Sequence, residues 1–184
     1  MQVFRVKPGN ISKSDVHRLA DKLGLKGSLG EYNNKIGLVD NAVIDADALS
    51  GQIDYTDTDK IFEVSENLPL ESEAIIIASN FLKKIEMLPR DAYILQVVTD
   101  DMSVRDKNTG ELLEYKEVNM QVMFGRKLNG YETIGTGTSI KVYISDNGYI
   151  SGFKKSWPEL VYLKDMNLKT PEEAIQELKN IRIS

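Results

Sequence analysis

Hydrophobic residues in this chain change period several times, and each change marks an element. Val16, Leu19, Ala20 and Leu23 recur at the spacing of an amphipathic helix. Ser12 stands ahead of them with Asp15 three residues later, an acidic N-cap signal, and Gly24 suits the position just past the last turn. Alternation takes over from Lys35 to Val39 and from Val43 to Ala48, and a turn at Ser50-Gly51 leads into Gln52 to Thr56. After Pro69 the helical period returns. Ala74, Ile77, Ala78, Phe81 and Ile85 line one face of a longer helix that stops before Pro89. Strands are predicted near Tyr93 to Thr99 and Leu112 to Phe124. Ile140, Val142 and Ile144 then put branched side chains on one strand face, with Lys141, Tyr143 and Ser145 on the other. Asn147-Gly148 follows, able to supply the positive φ values of a tight two-residue hairpin, and Tyr149 to Phe153 forms the return strand. Thr170-Pro171-Glu172-Glu173 opens a last helix whose stripe is Ala174, Ile175 and Leu178.

The order of elements gives an α+β protein in which two halves vary one theme, a helix followed by a curved antiparallel sheet. Leu49-Ser50-Gly51-Gln52-Ile53 occupies in the first half the place of Asp146-Asn147-Gly148-Tyr149-Ile150 in the second. The expected domains are residues 1–60 and a larger unit, 61–184. The C-terminal helix either packs back on the second sheet or begins a third, truncated repeat. Asp57 to Glu66 and Trp157 to Lys169 read as connections.

Composition narrows the function. A chain of 184 residues buries about 70% of its unfolded surface, enough for one sizeable core or two small ones. The net charge of −5 is spread with both signs interspersed, and no Lys/Arg cluster tracks phosphates, so nucleic acid is not an expected partner. The absence of cysteine excludes disulfides, thiolate metal sites and cysteine nucleophiles. Met1-Gln2-Val3-Phe4-Arg5 lacks the form of a signal peptide, and no apolar run spans a membrane. Membrane attachment is expected only through a part absent from this chain.

No catalytic, cofactor-binding or metal-binding residue is expected. His17 is the only histidine and reads as a surface helix residue, without the partners a zinc ligand or general base needs. Asp54, Asp57 and Asp59, or Asp100 and Asp101, offer paired carboxylates, but a calcium loop's glycine and glutamate are missing. Asp45, Asp47 and Asp54 alternate with apolar residues, which assigns them to a solvated strand face. Gly135-x-Gly137 lacks the third glycine, lysine and following helix of a phosphate cradle and reads as a bent strand entry. Asn10-Ile11-Ser12 is a glycosylation acceptor pattern ahead of a helix. The aromatic set Tyr149, Phe153, Trp157 and Tyr162 supplies the candidate partner-binding residues; Trp157 reads either as a lid on the core or as an interface anchor.

Phe124-x-Arg126-x-x-Asn129-Gly130, the Ile134 to Gly137 segment and the Asp146-Asn147-Gly148 hairpin resemble the propeptide region of thermolysin-like metalloproteases. The Thr170 to Ile175 helix start is similar to that of the PepSY domain which accompanies those propeptides. The resemblance covers about the last third of the chain. It implies cystatin-like, PepSY-like units and an extracytoplasmic, non-enzymatic role in binding or regulating another protein. Two alternatives accompany it: a propeptide-type inhibitor and folding chaperone, or a carrier of a small apolar ligand between sheet and helix. A proregion of that family precedes a zinc enzyme bearing His-Glu-x-x-His, and this chain has no such motif.

Overall fold

The computed structural model describes residues 2–133, 137–167 and 169–181. The chain forms an α+β structure with antiparallel sheets, divided into two compact units: residues 8–158, and residues 1–7 with 159–184.

In the larger unit, α1 (Lys13–Leu23) is fixed at both ends by its sequence. The Ser12 side chain accepts the Asp15 amide while the Asp15 carboxylate accepts the Ser12 amide, a reciprocal capping box. At the other end Gly24 takes φ +77°, which lets Leu25 N–H reach the Ala20 carbonyl at 2.9 Å and close the helix. Four strands follow: β2 (Ser28–Tyr32), β3 (Lys35–Val39), β4 (Ala42–Asp47) and β5 (Gln52–Asp57). Then come α2 (Glu71–Lys84) and five more strands, β6 (Ala92–Arg105), β7 (Leu112–Leu128), β8 (Tyr131–Glu132), β9 (Ser139–Ile144) and β10 (Ile150–Ser156).

These strands make one antiparallel sheet in the order β2-β3-β4-β5-β10-β9-β7-β6, with β8 added to the end of β7. The expected boundary at residue 60 therefore falls within a continuous sheet. β5 pairs with β10 through Phe153 opposite Tyr55 and Lys154 opposite Asp54, so the two halves share a hydrogen-bonded seam. Local periodicity carries no signal of a pairing across roughly a hundred residues.

α1 lies on β3 and β4, and α2 on β6, β7 and β9. Every second strand residue faces them: Ile36, Leu38, Ile44, Val122, Val142 and Ile144 are all buried. Ala74 and Ala78 on α2, and Ala42 and Ala46 on β4, are fully buried small residues. Phe153 is 1% exposed at the seam, its ring 5.9 Å from Tyr55 and 5.7 Å from Phe81 on α2. Aromatic packing thus ties both halves to one core.

The loop after β9 is longer than a two-residue hairpin. Asp146–Gly148 makes a 3-10 turn in which Asn147 has φ +55° and Gly148 φ +77°. The predicted positive dihedrals are present, but Ser145 N–H bonds to the Tyr149 carbonyl outside them. The Asp57 to Glu66 connection is held in place rather than loose. The Ser65 hydroxyl and amide bond to the Val118 and Glu117 carbonyls, and Asn67 bonds through its amide to Asp146 and through its side chain to Asn147.

The smaller unit pairs β1 (Gln2–Val6) antiparallel with β11 (Leu160–Asp165) and carries α3 (Pro171–Ile181). The span read as a connection before the last helix thus contains a strand. Its partner, the N-terminal Gln2–Val6, is more than 150 residues away, beyond the reach of pattern reading. α3 begins as expected, with Glu173 N–H donating to the Thr170 hydroxyl and Thr170 N–H to the Glu173 carboxylate.

Candidate functional site

In the larger unit, an arm built by β6 and β7 carries a run of exposed non-polar side chains. Both strands run well past the helix-covered core. The first of them extends beyond the expected Tyr93 to Thr99: β6 continues to Arg105, opposite Leu112. The turn between them is self-sufficient. The Asp106 carboxylate accepts the Asn108 and Thr109 amides, both at 2.8 Å, and Gly110 takes φ +73°. Those amides hold the Asp106 carboxyl below its ordinary range.

Along this arm burial stops at Val118 and Asn119. Met102, Val104, Leu112, Leu113 and Tyr115 stand in solvent, Met102 at 48% and Leu113 at 62% exposure. β7 is bulged opposite Asp100/Asp101 and again opposite Val104/Arg105, whereas β6 itself runs unbroken from Gln96 to Arg105. Because β6 is the last strand of the sheet, its outer backbone groups have no strand partner among the described residues. The sequence did hold a signal for this arm. Met102 and Val104 continue the β6 alternation, Asp106 to Gly110 is turn-forming, and Tyr115 stands opposite Ser103, on the other face of the ribbon.

The four candidate aromatics do not gather into one surface. Phe153 lies in the core, which corrects its assignment as a partner-binding residue: the ring alternates inward on β10 and is enclosed by Tyr55 and Phe81. Trp157 is part-buried against the core, with the Arg126 guanidinium 5.4 Å from its ring centroid. Arg126 is itself held by Asp91 at 2.6 Å and by the Pro158 carbonyl at 2.7 Å. Tyr149 is half exposed, but its hydroxyl donates to the buried Asp57 carboxylate at 2.5 Å. That bond, with added burial and the charge of Asp57, pushes the Tyr149 phenol well above its usual range. Tyr162 belongs to the smaller unit, where it packs edge-on against Phe4 and donates to Asp165.

The acidic groups separate in the same way. Asp54 accepts from Gln52 at 2.9 Å and Lys154 at 3.2 Å, Asp57 binds Tyr149, and Asp100 receives the Gln121 amide at 3.3 Å. Asp45 is exposed as expected, Asp47 and Asp54 only partly so. A cleft of about 310 Å³ on the face opposite the helices is lined by Asp54, Tyr143, Asp100, Asn119 and the Ile61-Phe62 pair. Burial and the charges of Asp100 and Asp54 raise the Tyr143 phenol above its usual range. Among the described residues no group of three or more His, Cys, Asp or Glu is placed to hold a metal ion. His17 lies on the exposed face of α1. Of the Gly-x-Gly segment, Ile134, Gly135 and Thr136 lie outside the described residues. No helix of the described residues is long and apolar enough to cross a membrane.

Comparison with protein-family models, with curated proteins and with solved structures finds no match to this chain.

Proposed function

We propose that this chain is a protein-binding, regulatory module of PepSY-like build that works outside the cytoplasm and carries no reaction centre of its own. In this reading it is two tandem helix-and-sheet units: α1 with β2 to β5, and α2 with β6, β7, β9 and β10. The strand order supports it, since each helix covers its own set of strands and the sets meet last strand to last strand, β5 against β10. The partner docks on the β6 edge and on the apolar side chains of the arm.

One observation carries the proposal: the β6–β7 ribbon continues past its core with branched, sulfur-containing and aromatic side chains in solvent beside an open edge. Natural sheets usually blunt such edges with charge, proline or a covering loop. β6 carries charge at Asp100, Asp101 and Arg105 but has no proline, and its long uncovered edge suits strand addition, where main-chain hydrogen bonds give affinity and alternate side chains give selectivity.

The test is site-specific photo-crosslinking in the producing cell. A photoreactive residue at Tyr115 is expected to capture a discrete protein, and one at Tyr32 on the opposite edge strand is not. Equal yields from both positions, or no adduct from Tyr115, would sink the docking reading.

A further inference from the structure

The outer strand carries opposite charges set symmetrically about one residue. Its tip reads Asp101-Met102-Ser103-Val104-Arg105, that is acid, apolar, serine, apolar, base, and all five residues are exposed. Asp101 and Arg105 share a face of the ribbon. At about 3.4 Å per residue they stand about 14 Å apart along the strand, too far to pair with each other. Among the described residues the Asp101 carboxylate has no hydrogen bond or ion pair, and the Arg105 guanidinium meets only the neutral Gly110 carbonyl, at 3.1 Å. Two unpaired opposite charges therefore lie on one open edge.

We infer that β6 pairs with β6 of a second copy of this chain, antiparallel and centred on Ser103. The inference rests on the docking edge proposed above and names its occupant. A two-fold axis at Ser103 sets Asp101 opposite Arg105 and Met102 opposite Val104, and symmetry makes each pair twice. Opposite-charge and apolar pairs directly across a ladder are the favourable cross-strand combinations. Neighbouring registers lose this match. Centring on Met102 sets Asp101 against Ser103 and Asp100 against Val104, centring on Val104 sets Arg105 against Ser103 and Met102 against Asp106, and centring on Asp100 or Asp101 sets an acid against itself. Of the three bulges in this hairpin the one on β6 lies at Leu95 and the other two are on β7, so the outward edge between Gln96 and Arg105 is regular enough to pair. An unrelated partner strand has no need of this antisymmetry; a self-pairing strand does.

Five residues a side make a small interface, so association is weak and needs high protein concentration to populate. Sedimentation velocity on the whole chain from roughly 10 µM to 1 mM spans the free energies such an interface supplies. The weight-average mass is expected to climb toward the dimer. Asp101→Arg alone and Arg105→Asp alone should each weaken association about tenfold or more (~1.4 kcal/mol). The double variant D101R/R105D should recover it. Both positions are exposed, and circular dichroism verifies that each variant folds. A wild type that stays monomeric at the highest concentration, single variants that associate normally, or a double variant that fails to recover each overturn the proposal. A monomeric wild type that still yields a heterologous adduct from Tyr115 removes self-pairing and leaves the docking edge standing.

Discussion

At the scale of single residues, backbone freedom and buried hydroxyls decide what can change. Gly148 has φ +77°, and a Cβ there would lie 2.8 Å from Ile77 Cδ1 on α2. Gly148→Val adds left-handed strain, of order 1–3 kcal/mol, to that contact, and a urea midpoint unchanged from wild type would refute the turn's role. Trp157→Ala is expected to cost roughly 2–4 kcal/mol, because the ring packs on the core beneath Arg126. A loss under about 1 kcal/mol in chemical denaturation would return Trp157 to the surface-anchor reading. Tyr149 gives a pH prediction. Its phenol is raised in the folded state, so its stabilisation is complete below the unfolded value of about 10 and drains away as pH climbs past it. The melting-temperature advantage of wild type over Tyr149→Phe should therefore shrink from about pH 10 upward, and a constant difference there would contradict the Tyr149–Asp57 bond. Part-buried Lys155 acts with the opposite sign, since burial holds its ammonium below the usual range. Comparing the two proteins cancels that contribution.

At the scale of elements, what was legible followed from local chemistry. The caps of α1 and α3 were readable because the capping partners lie three residues apart. The inward set Ile140, Val142 and Ile144 was readable because a strand face repeats every second residue. β1 and β11 were missed, since each is short and finds its pairing far away in sequence. The strand expected near Tyr93 to Thr99 continues to Arg105, since Asp100 takes the Gln121 amide and Asp101 stands in solvent. That arm contributes little to the core. Replacing residues 102–115 with a two-residue turn should shift stability by no more than about 1 kcal/mol, the scale of surface changes. A larger loss in a thermal melt would mean that the ribbon beyond Asn119 belongs to the folding unit. The candidate site was only half legible for a related reason. Aromatic residue type marked Phe153 and Tyr149 as surface anchors, but burial and a single carboxylate had already claimed them.

At the scale of the whole molecule, the α+β class and the antiparallel pairing were readable from the order of periods, and the division of the chain was not. Nothing within residues 52–57 states that their neighbour is residues 150–156. The larger unit holds the buried cluster, so a fragment of residues 8–158 is expected to unfold in one cooperative transition near the urea midpoint of the full chain. A broad or absent transition would show that the terminal segments are required for folding.

The β5–β10 seam also sets a schedule for a chain being made. As the polypeptide leaves the ribosome, the first meander can close early, yet its last strand must wait for Ile150 to Ser156 before it has a neighbour on that side. For that interval a nascent copy displays a bare, sticky margin, and two chains on one message stand close enough to join there by mistake. Slow translation through the middle of the gene would lengthen the exposure, so the hazard of misassembly scales with time spent half-synthesised rather than with the stability of the finished fold.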